Sequence, residues 1–317
     1  MVRLEPPRPG DRSGSPPPVV SIVIPVYDRK PMLERAVASV RAQDFAAWEV
    51  IVVDDASAVP LGDYVDGLGE PRIRCVRREE NGGVAVAQNA GLADATGRYV
   101  AFLHSDDEFL PDRLRRLCGR LDSEPLEVGG VESGHEERDA RGTVTVHEPY
   151  LAGATARDVL TYRAGVHISK LLLRRELAAA VGFDEALRGA EDRDFAIRLL
   201  RRTRIVGEPA PLVRIERTEP GLRTQPKGGI YEYLLGKYRE EIKADASTHG
   251  GWWWRVARAH AAAGQYHPAR CAVRRAIRSD PRRLRLWPLG LTSLLGDRVF
   301  SASVRAYLRA ARLVADD

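Results

Sequence analysis

The stretch VVSIVIPV at residues 19–26 and the stretch WEVIVVDD at residues 48–55 are short, continuous apolar runs that are rich in β-branched residues. Such runs are typical of strands buried on both faces of a parallel sheet. Between them, apolar residues recur every three or four positions over residues 31–42, which predicts an amphipathic helix. A strand, a helix and a second strand in this order indicate an α/β fold with a mainly parallel sheet.

The alternation of strands and helices continues to about residue 202. Residues 127–168 are less regular, and GGVESGHEERDARG at 129–142 is expected to form a hairpin or a loop. The other elements follow the same apolar patterns: strands are predicted over 72–78 and 98–107 and at the start of 167–187, and helices over 84–95, 111–121, the rest of 167–187 and 191–202.

The composition is that of a soluble globular protein. Of the 317 residues, 44% are hydrophobic and 29% are charged, and no apolar run approaches the ~20 residues that a spanning helix needs. Residues 1–18 are rich in proline, glycine and charge, and we expect a flexible leader rather than a secretory signal. Three widely spaced cysteines argue against a disulfide framework or a clustered zinc site. Two domains and a cytoplasmic location are therefore expected.

Carboxylates directly follow three of the predicted strands: Asp28, the pair Asp54 and Asp55, and the pair Asp106 and Asp107. In such folds the carboxyl ends of parallel strands meet at the edge of the sheet where ligands bind, so these acids are expected to converge. Neighbouring carboxylates repel each other, and their convergence favours a site for a cation or a hydroxyl-rich ligand. For each acid taken alone, a role in a turn or a helix cap is the simpler interpretation.

Four stretches in this order resemble the family 2 glycosyltransferases, inverting enzymes of the GT-A fold. SIVIPVYDR (21–29) resembles the first strand of the family and WEVIVVDDAS (48–57) the second. NGGVAVAQNAGLADATGRYVAFLHSDDEFLPDRL (81–114) resembles the block with the metal-binding motif, and GFDEALRGAEDRDFAIRL (182–199) resembles the later acidic motif. The resemblance implies a GT-A catalytic domain at 19–225, with a mixed sheet flanked by helices.

The resemblance also implies roles for individual residues. Asp192 matches the general base, with Glu191 as the fallback, and Asp106 matches the acid that holds a divalent cation, Mn²⁺ or Mg²⁺, against the donor diphosphate. Asp55 matches the acid that accepts hydrogen bonds from the nucleotide base, with Asp54 in support. The other positions assigned to the donor nucleotide are Pro25, Val26, Tyr27, Asp28, Asn89 and Ser105.

These residue types suit the transfer of a sugar from a nucleotide donor to an acceptor hydroxyl. A hard cation neutralises the charge that develops on the nucleoside diphosphate leaving group. A carboxylate on the opposite side takes the proton of the attacking hydroxyl, so a single base suffices. The donor is UDP-, GDP- or dTDP-linked, and the acceptor is a glycan, a glycolipid or a glycoprotein precursor; the residues do not choose among these.

His104 departs from the family pattern, because it stands where the family often has the first acid of the Asp-x-Asp motif. It is interpreted as an additional metal ligand, with weakened metal binding or a hydrogen bond to the ribose or backbone as alternatives. His167 either contacts the acceptor or the diphosphate or is an ordinary packed residue, and Asn89 either approaches the donor or orients the acidic loop. His104 also motivates an alternative function, a catalytically weak nucleotide-sugar-binding scaffold that recruits partners through its helical tail.

Residues 226–317 lie outside the catalytic domain and are predicted to be helical. Helices are expected near 230–244, 252–263 and 266–279, and the last two resemble a single tetratricopeptide-like pair. From Trp252 to Asp317 there are 13 arginines and four aspartates, with no lysine or glutamate, so the excess positive charge lies here. The region 250–317 is expected to contact an anionic membrane surface at the inner face of the cell membrane, a protein partner or only the catalytic domain. Nucleic acid is not expected, since the chain has no recognised motif that reads it.

Overall fold

The computed structural model of the chain describes residues 17–139, 141–216 and 228–313. Almost all of the leader predicted at residues 1–18 lies outside the described residues, and so does the boundary predicted between residues 225 and 226. Among the described residues, no helix combines the length and the apolar character that crossing a bilayer requires.

The described residues contain one mixed sheet of nine strands in the order β3-β2-β1-β4-β8-β6-β9-β5, with β7 paired to β6. The strands β3, β2, β1 and β4 run parallel, whereas β8 is antiparallel to both of its neighbours, β4 and β6. Their bounds are β1 Val20–Val26, β2 Trp48–Asp54, β3 Ile73–Arg77, β4 Tyr99–Phe102, β5 Glu108–Phe109, β6 Val128–Arg138, β7 Val144–His147, β8 Leu171–Arg174 and β9 Arg204–Glu216.

Helices cover both faces of the sheet, which explains why β1 and β2 are apolar at nearly every position. Val23 and Ile51 pack into one core cluster, and Ile22 and Val50 pack into a second cluster. The helices are α1 Lys30–Arg41, α2 Gly62–Asp66, α3 Val84–Asp94, α4 Arg113–Asp122, α5 Ala156–Leu160, α6 Arg175–Val181, α7 Glu191–Leu200, α8 Gly228–Lys237, α9 Arg239–Lys243, α10 Ala246–Ala262, α11 Tyr266–Ser279, α12 Trp287–Thr292 and α13 Asp297–Leu313.

The segment predicted as a hairpin or loop at 129–142 differs from that expectation in its first half. There β6 is a fully buried strand between β8 and β9, and only its last residues form the hairpin with β7. The apolar signal is missing because glycines fill the crowded positions: a Cβ at Gly129 or Gly130 would collide with a leucine side chain. The buried Glu132 of this strand pairs with Lys170 at 3.0 Å, which compensates its charge.

The C-terminal helices pack on the part of the chain that carries the sheet. Leu234 of α8 and Trp252 of α10 belong to the same core cluster as residues of the sheet, and the Trp252 indole donates a hydrogen bond to the Leu160 carbonyl at 3.0 Å. A separate apolar cluster joins α10, α11, α12 and α13. The prediction of consecutive helices in this region is confirmed.

Candidate active site

A cleft of about 410 Å³ opens beyond the carboxyl ends of β1, β2 and β4. The polar residues that follow these strands meet there because parallel strands end at the same edge of the sheet. Residues from the start of α3 and from the loop before α7 close the cleft on its other side. Its lining comprises Pro25, Val26, Tyr27, Arg29, Asp55, Asn81, Gly83, Val84, Ala87, His104, Ser105, Asp106, Arg188, Gly189 and Glu191.

Asp55 holds the turn that starts α3. Its carboxylate accepts hydrogen bonds from the backbone N–H groups of Gly82 and Gly83, at 3.1 and 2.8 Å, and from Arg78 at 2.6 Å. Gly83 has a φ of 86°, a conformation in which a side chain would be strained. Asp55, which the resemblance assigns to the nucleotide base, therefore lines the cleft while its carboxylate accepts three hydrogen bonds from the protein.

The carboxylates of Asp54 and Asp28 accept hydrogen bonds from the loop after β2, and neither residue lines the cleft. Asp54 is fully buried and accepts hydrogen bonds from the N–H groups of Ser57 and Leu61 and from Arg77. Burial opposes its ionisation, but these hydrogen bonds prevail and lower the pKa of Asp54. Asp28 accepts from the Ala58 N–H at 2.7 Å. Both acids thus stabilise a turn, which is the simpler interpretation of each acid in the sequence.

Asn89 also has its side chain directed away from the lining of the cleft. Its amide exchanges hydrogen bonds with both backbone groups of Phe183, at 2.8 and 3.0 Å, and donates to Glu185 at 2.9 Å. These contacts tie α3 to the GFDE loop that precedes α7. The geometry matches the loop-orienting alternative for Asn89, and the donor contact implied by the resemblance has no support in these hydrogen bonds.

The loop after β4 brings His104, Ser105 and Asp106 to the cleft. Asp106 is partly exposed, and its nearest cationic partner is Arg29, whose Nη1 lies 3.6 Å from its Oδ2. The backbone N–H of His104 donates to Ser169 Oγ at 3.1 Å. This hydrogen bond fixes the loop against the short helix Ile168–Lys170, which directly precedes β8. Arg29, three residues after the end of β1, is a positive group that reasoning from the acids of the sequence did not identify.

Asp107, beside this motif, is the buried centre of a small polar cluster. Its Oδ2 accepts a hydrogen bond from Ser169 Oγ at 2.6 Å and lies 3.9 Å from His104 Nδ1 and 3.7 Å from His167 Nε2. Burial raises the pKa of Asp107 to about 7, and the neighbouring acids Asp106 and Asp192 add to this rise. The structure thus joins His167 to the His104 motif through Asp107.

Glu191 and Asp192 form the first turn of α7, after Ala190 in a left-handed conformation with a φ of 57°. Glu191 is buried and lines the cleft, while Asp192 is half-buried and is not among the lining residues. Asp192 Oδ2 accepts a hydrogen bond from the Ile168 N–H at 3.3 Å, and its buried Oδ1 has no hydrogen-bond partner among the described residues. Burial raises the pKa of Asp192 to about 6, partly offset by Ile168 and Arg193.

Two sets of side chains around His104 fit a divalent cation. His104, Asp107 and His167 form one set, and His104, Glu191 and Asp192 form the other, with the ligand atoms of each set within 4.8 Å of one another. Imidazole nitrogen and carboxylate oxygen are ligands that Mn²⁺ accepts. In the second set, the Oδ1 of Asp192 has no hydrogen-bond partner among the described residues and is available to bind such a cation. Among the described residues, Asp106 belongs to neither set.

Arg188 is a further residue that the sequence-based search missed. It lines the cleft, and its guanidinium donates to the side chain of Asn81 at 3.4 Å and to its carbonyl at 3.2 Å. A guanidinium at this position gives the acid-lined cleft a group that can bind phosphate oxygens. The sequence contains one indication of this role: Arg188 stands within the acidic motif GFDEALRGAEDRD, between the acids of GFDE and those of EDRD.

A family model described as Glycosyl transferase family 2 matches residues 21–181, half of the chain. The succinoglycan biosynthesis protein ExoO of Rhizobium meliloti is 39% identical over 111 residues, which cover 35% of this chain and 32% of that protein. The chain matches only 20–40% of the lengths of the first curated relatives.

Two solved structures have similar folds. S. aureus TarS in complex with UDP-GlcNAc has a TM-score of 0.63 at 19% identity, over 92% of each chain. A mannosyltransferase from Pyrobaculum calidifontis, in complex with GDP-Man and Mn²⁺, has a TM-score of 0.52 at 19% identity, over 94% of this chain and 81% of that one. At this level of identity they establish the GT-A type of mixed sheet flanked by helices, with a helical C-terminal region.

Proposed function

Because the chain belongs to glycosyl transferase family 2, we propose that it is an inverting glycosyltransferase that moves a sugar from a nucleotide-sugar donor to an acceptor hydroxyl. The observation that carries the proposal is the meeting of two distant motifs: His104 after β4 lies within 4.8 Å of Glu191 and Asp192 at the start of α7. Of the two candidate bases, Glu191 lines the cleft together with His104, and Asp192 is its neighbour in the same helical turn. Relatives of the chain are named for polysaccharide biosynthesis, which supports this substrate class.

The donor nucleotide is assigned to the side of the cleft formed by Pro25, Val26, Tyr27 and Asp55. The ring of Tyr27 is 48% exposed, so a base can cover it without displacing core side chains. Ser105 lines the same cleft at the end of β4. The similar folds bind UDP-GlcNAc and GDP-Man, which supports a UDP- or GDP-linked donor and leaves a dTDP-linked donor as the third candidate.

A divalent cation, Mn²⁺ or Mg²⁺, is part of the proposal. His104 would hold it, either with Asp106, as the family motif implies, or with Asp107 and His167, the set that leaves Asp192 free to act as a base. When bound, the cation supplies positive charge to the diphosphate leaving group. Arg29 and Arg188, which line the cleft, provide two further positive groups beside the same phosphates.

Asp192 is the proposed general base, and Glu191 is the second candidate. A base works best when its pKa lies near the working pH, and the pKa of Asp192 is raised to about 6 by burial. Its unpartnered Oδ1 has capacity to accept the proton of an acceptor hydroxyl as that oxygen attacks the anomeric carbon. The Ile168 N–H holds Oδ2, which keeps the carboxylate oriented.

The chain is proposed to divide into the leader 1–18, a catalytic domain at 19–225 and a helical region at 226–317. The helical region exposes a group of large apolar side chains beside the exposed arginines Arg282, Arg285 and Arg298. Apolar side chains flanked by arginines suit an anionic membrane surface, and we assign the enzyme to the cytoplasmic face of the cell membrane, with a lipid-linked acceptor. The exposed apolar residues are Leu284, Trp287, Leu291, Leu294, Leu295 and Val299.

The test is the Asp192→Asn variant, assayed with UDP-, GDP- and dTDP-sugars and Mn²⁺. We expect transfer to fall by about 10²–10⁴-fold, the usual contribution of a general base, while the donor Kd changes by less than about threefold. Glu240→Gln, which alters an exposed acid of α9, is the matched control and keeps full activity. Full activity of Asp192→Asn would reject this base, and donor binding without any transfer by the wild type would favour the scaffold alternative.

A further inference from the structure

A second cavity, separate from the active-site cleft, lies between the helical region and the segment after α5. It has a volume of about 290 Å³ and is lined by Arg163, Arg255 and Arg283 together with hydroxyl side chains. We call it the arginine pocket and define it by Arg163, Ser247, Gly251, Arg255 and Arg283. None of these residues has a role in the proposed transfer reaction.

Two guanidinium groups converge on the bare backbone of Gly251. A Cβ on Gly251 would lie 3.2 Å from Arg283 Nη2 and 3.4 Å from Arg255 Nη1, so both nitrogens approach one point from different elements. Arg283 is held by the Ser247 carbonyl at 2.7 Å and by Asp280 at 3.1 Å. Asp280 compensates the charge of Arg283, but the guanidinium of Arg255 still adds positive charge at the same point.

Arg255 has an incomplete set of partners. Its Nη1 donates to the Gly251 carbonyl at 3.2 Å, and its guanidinium stacks 3.5 Å from the ring centroid of Tyr162. Arg193 lies 3.7 Å from the same centroid, so the ring is sandwiched between two cations. Burial lowers the pKa of Arg255, and the nearby Arg193 and Arg258 lower it further.

No carboxylate of the described residues forms an ion pair with Arg163, Arg193 or Arg255, although the ion pairs of the other arginines are numerous. Asp245 is the acid in the lining of the pocket, and it accepts from Thr248 at its N–H and its hydroxyl, at 2.7 and 2.5 Å. The pocket therefore combines converging donors, half-buried positive charge and open space.

We propose that the arginine pocket binds a phosphate-type oxyanion, held by Arg255 and Arg283 over the backbone of Gly251, with Arg163 at its edge. Arginine presents several N–H donors in a plane, which matches the oxygens of a phosphate group. The oxyanion is either the free ion or a phosphate group carried by a larger molecule. The Tyr162 ring lies between Arg255 and Arg193, the residue after Asp192.

The experiment titrates the full chain with sodium phosphate at constant ionic strength and measures binding by calorimetry and by the thermal midpoint. We expect saturable binding by the wild type, with chloride inactive at the same ionic strength. Arg255→Met and Arg283→Met each weaken the phosphate Kd by about tenfold or more, as expected for the loss of a charge-assisted hydrogen bond. Arg258→Met removes an exposed arginine of the same helix that acts on Arg255 only through its charge, and it weakens the Kd by less than about threefold.

Gly251→Ala provides a variant that keeps every charge. Alanine is favoured over glycine within a helix, so the protein folds, but the new methyl group fills the point on which the two guanidinium tips converge and weakens phosphate binding. Glycerol 3-phosphate that binds more tightly than phosphate identifies a phosphate group on a larger molecule, and equal affinity identifies the free ion. No binding by the wild type, or equal losses in Arg255→Met and Arg258→Met, would overturn the proposal. The assay measures binding alone, so its result is independent of whether the chain transfers sugar.

Discussion

His104 and His167 lie edge to face, with ring centroids 5.3 Å apart, and the carboxylate of Asp107 lies within 4 Å of both rings. The two histidines come from different parts of the chain, one from the loop after β4 and the other from the residue before the short helix Ile168–Lys170. Ser169 of that helix holds both the His104 backbone and the Asp107 carboxylate. The departure from the family motif at His104 is therefore part of an organised polar cluster.

The first prediction concerns the cation. His104 is the member shared by both sets of potential ligands, so His104→Ala should weaken the binding of Mn²⁺ by about tenfold or more. Electron paramagnetic resonance of free Mn²⁺ measures this Kd directly. His267→Ala, which changes an exposed histidine of α11, should bind Mn²⁺ as the wild type does. Equal Kd values for wild type and His104→Ala would remove His104 from the metal site.

The second prediction concerns pH. Because burial raises the pKa of Asp192 to about 6, the carboxylate holds its proton up to that pH and cannot act as a base below it. We expect kcat/KM to rise by about tenfold per pH unit below pH 6 and to level off above about pH 7, because Asp107, whose pKa burial raises to about 7, titrates in the same cluster. A pH series of initial rates measures this. A rate that stays constant between pH 5 and pH 8 would contradict the assignment.

The third prediction separates the two interpretations of Asn89. Among the described residues, its side chain exchanges hydrogen bonds with Phe183 and Glu185, so Asn89→Ala should lower the free energy of unfolding by about 1–3 kcal/mol and should slow transfer. The donor Kd should stay within about threefold of the wild type. Glu185→Gln, which alters a single exposed contact, should have a smaller effect. A large loss of donor affinity without a loss of stability would instead identify Asn89 as a donor ligand.

The fourth prediction concerns the membrane. Leu291 and Leu294 are 61% and 65% exposed, so the double change Leu291→Ser and Leu294→Ser should reduce sedimentation with phosphatidylglycerol vesicles without unfolding the protein. Binding of the wild type should weaken at high salt, because arginines contribute to it. Val59→Ser changes an apolar side chain that is 72% exposed on the catalytic part and should not affect sedimentation. Equal sedimentation of the wild type with anionic and neutral vesicles would exclude this surface.

Much of the sheet could be predicted from the chain, for a simple physical reason. The strands β1 and β2 are buried on both faces, so nearly every position must be apolar and the pattern is visible without neighbours. The buried strand β6 was not predicted. Its glycines fit beside the side chains of Leu177 and Leu173, where a Cβ would be crowded. Its buried Glu132 is accommodated by the ion pair with Lys170. Such requirements come from residues far away in the chain, so local patterns do not contain them.

The sequence by itself determined the family, the alternation of strands and helices, and the edge of the sheet at which the acids collect, because these depend on local patterns and on parallel strands ending together. Only the tertiary structure decided how each polar side chain is used. Asp55 and Asp106 line the cleft, whereas Asp54 is enclosed by the N–H groups of its own loop. The pairing of His104 with His167 and the convergence of Arg255 with Arg283 were decided there as well. The direction and partners of a side chain depend on packing between distant segments, which spacing along the chain does not specify.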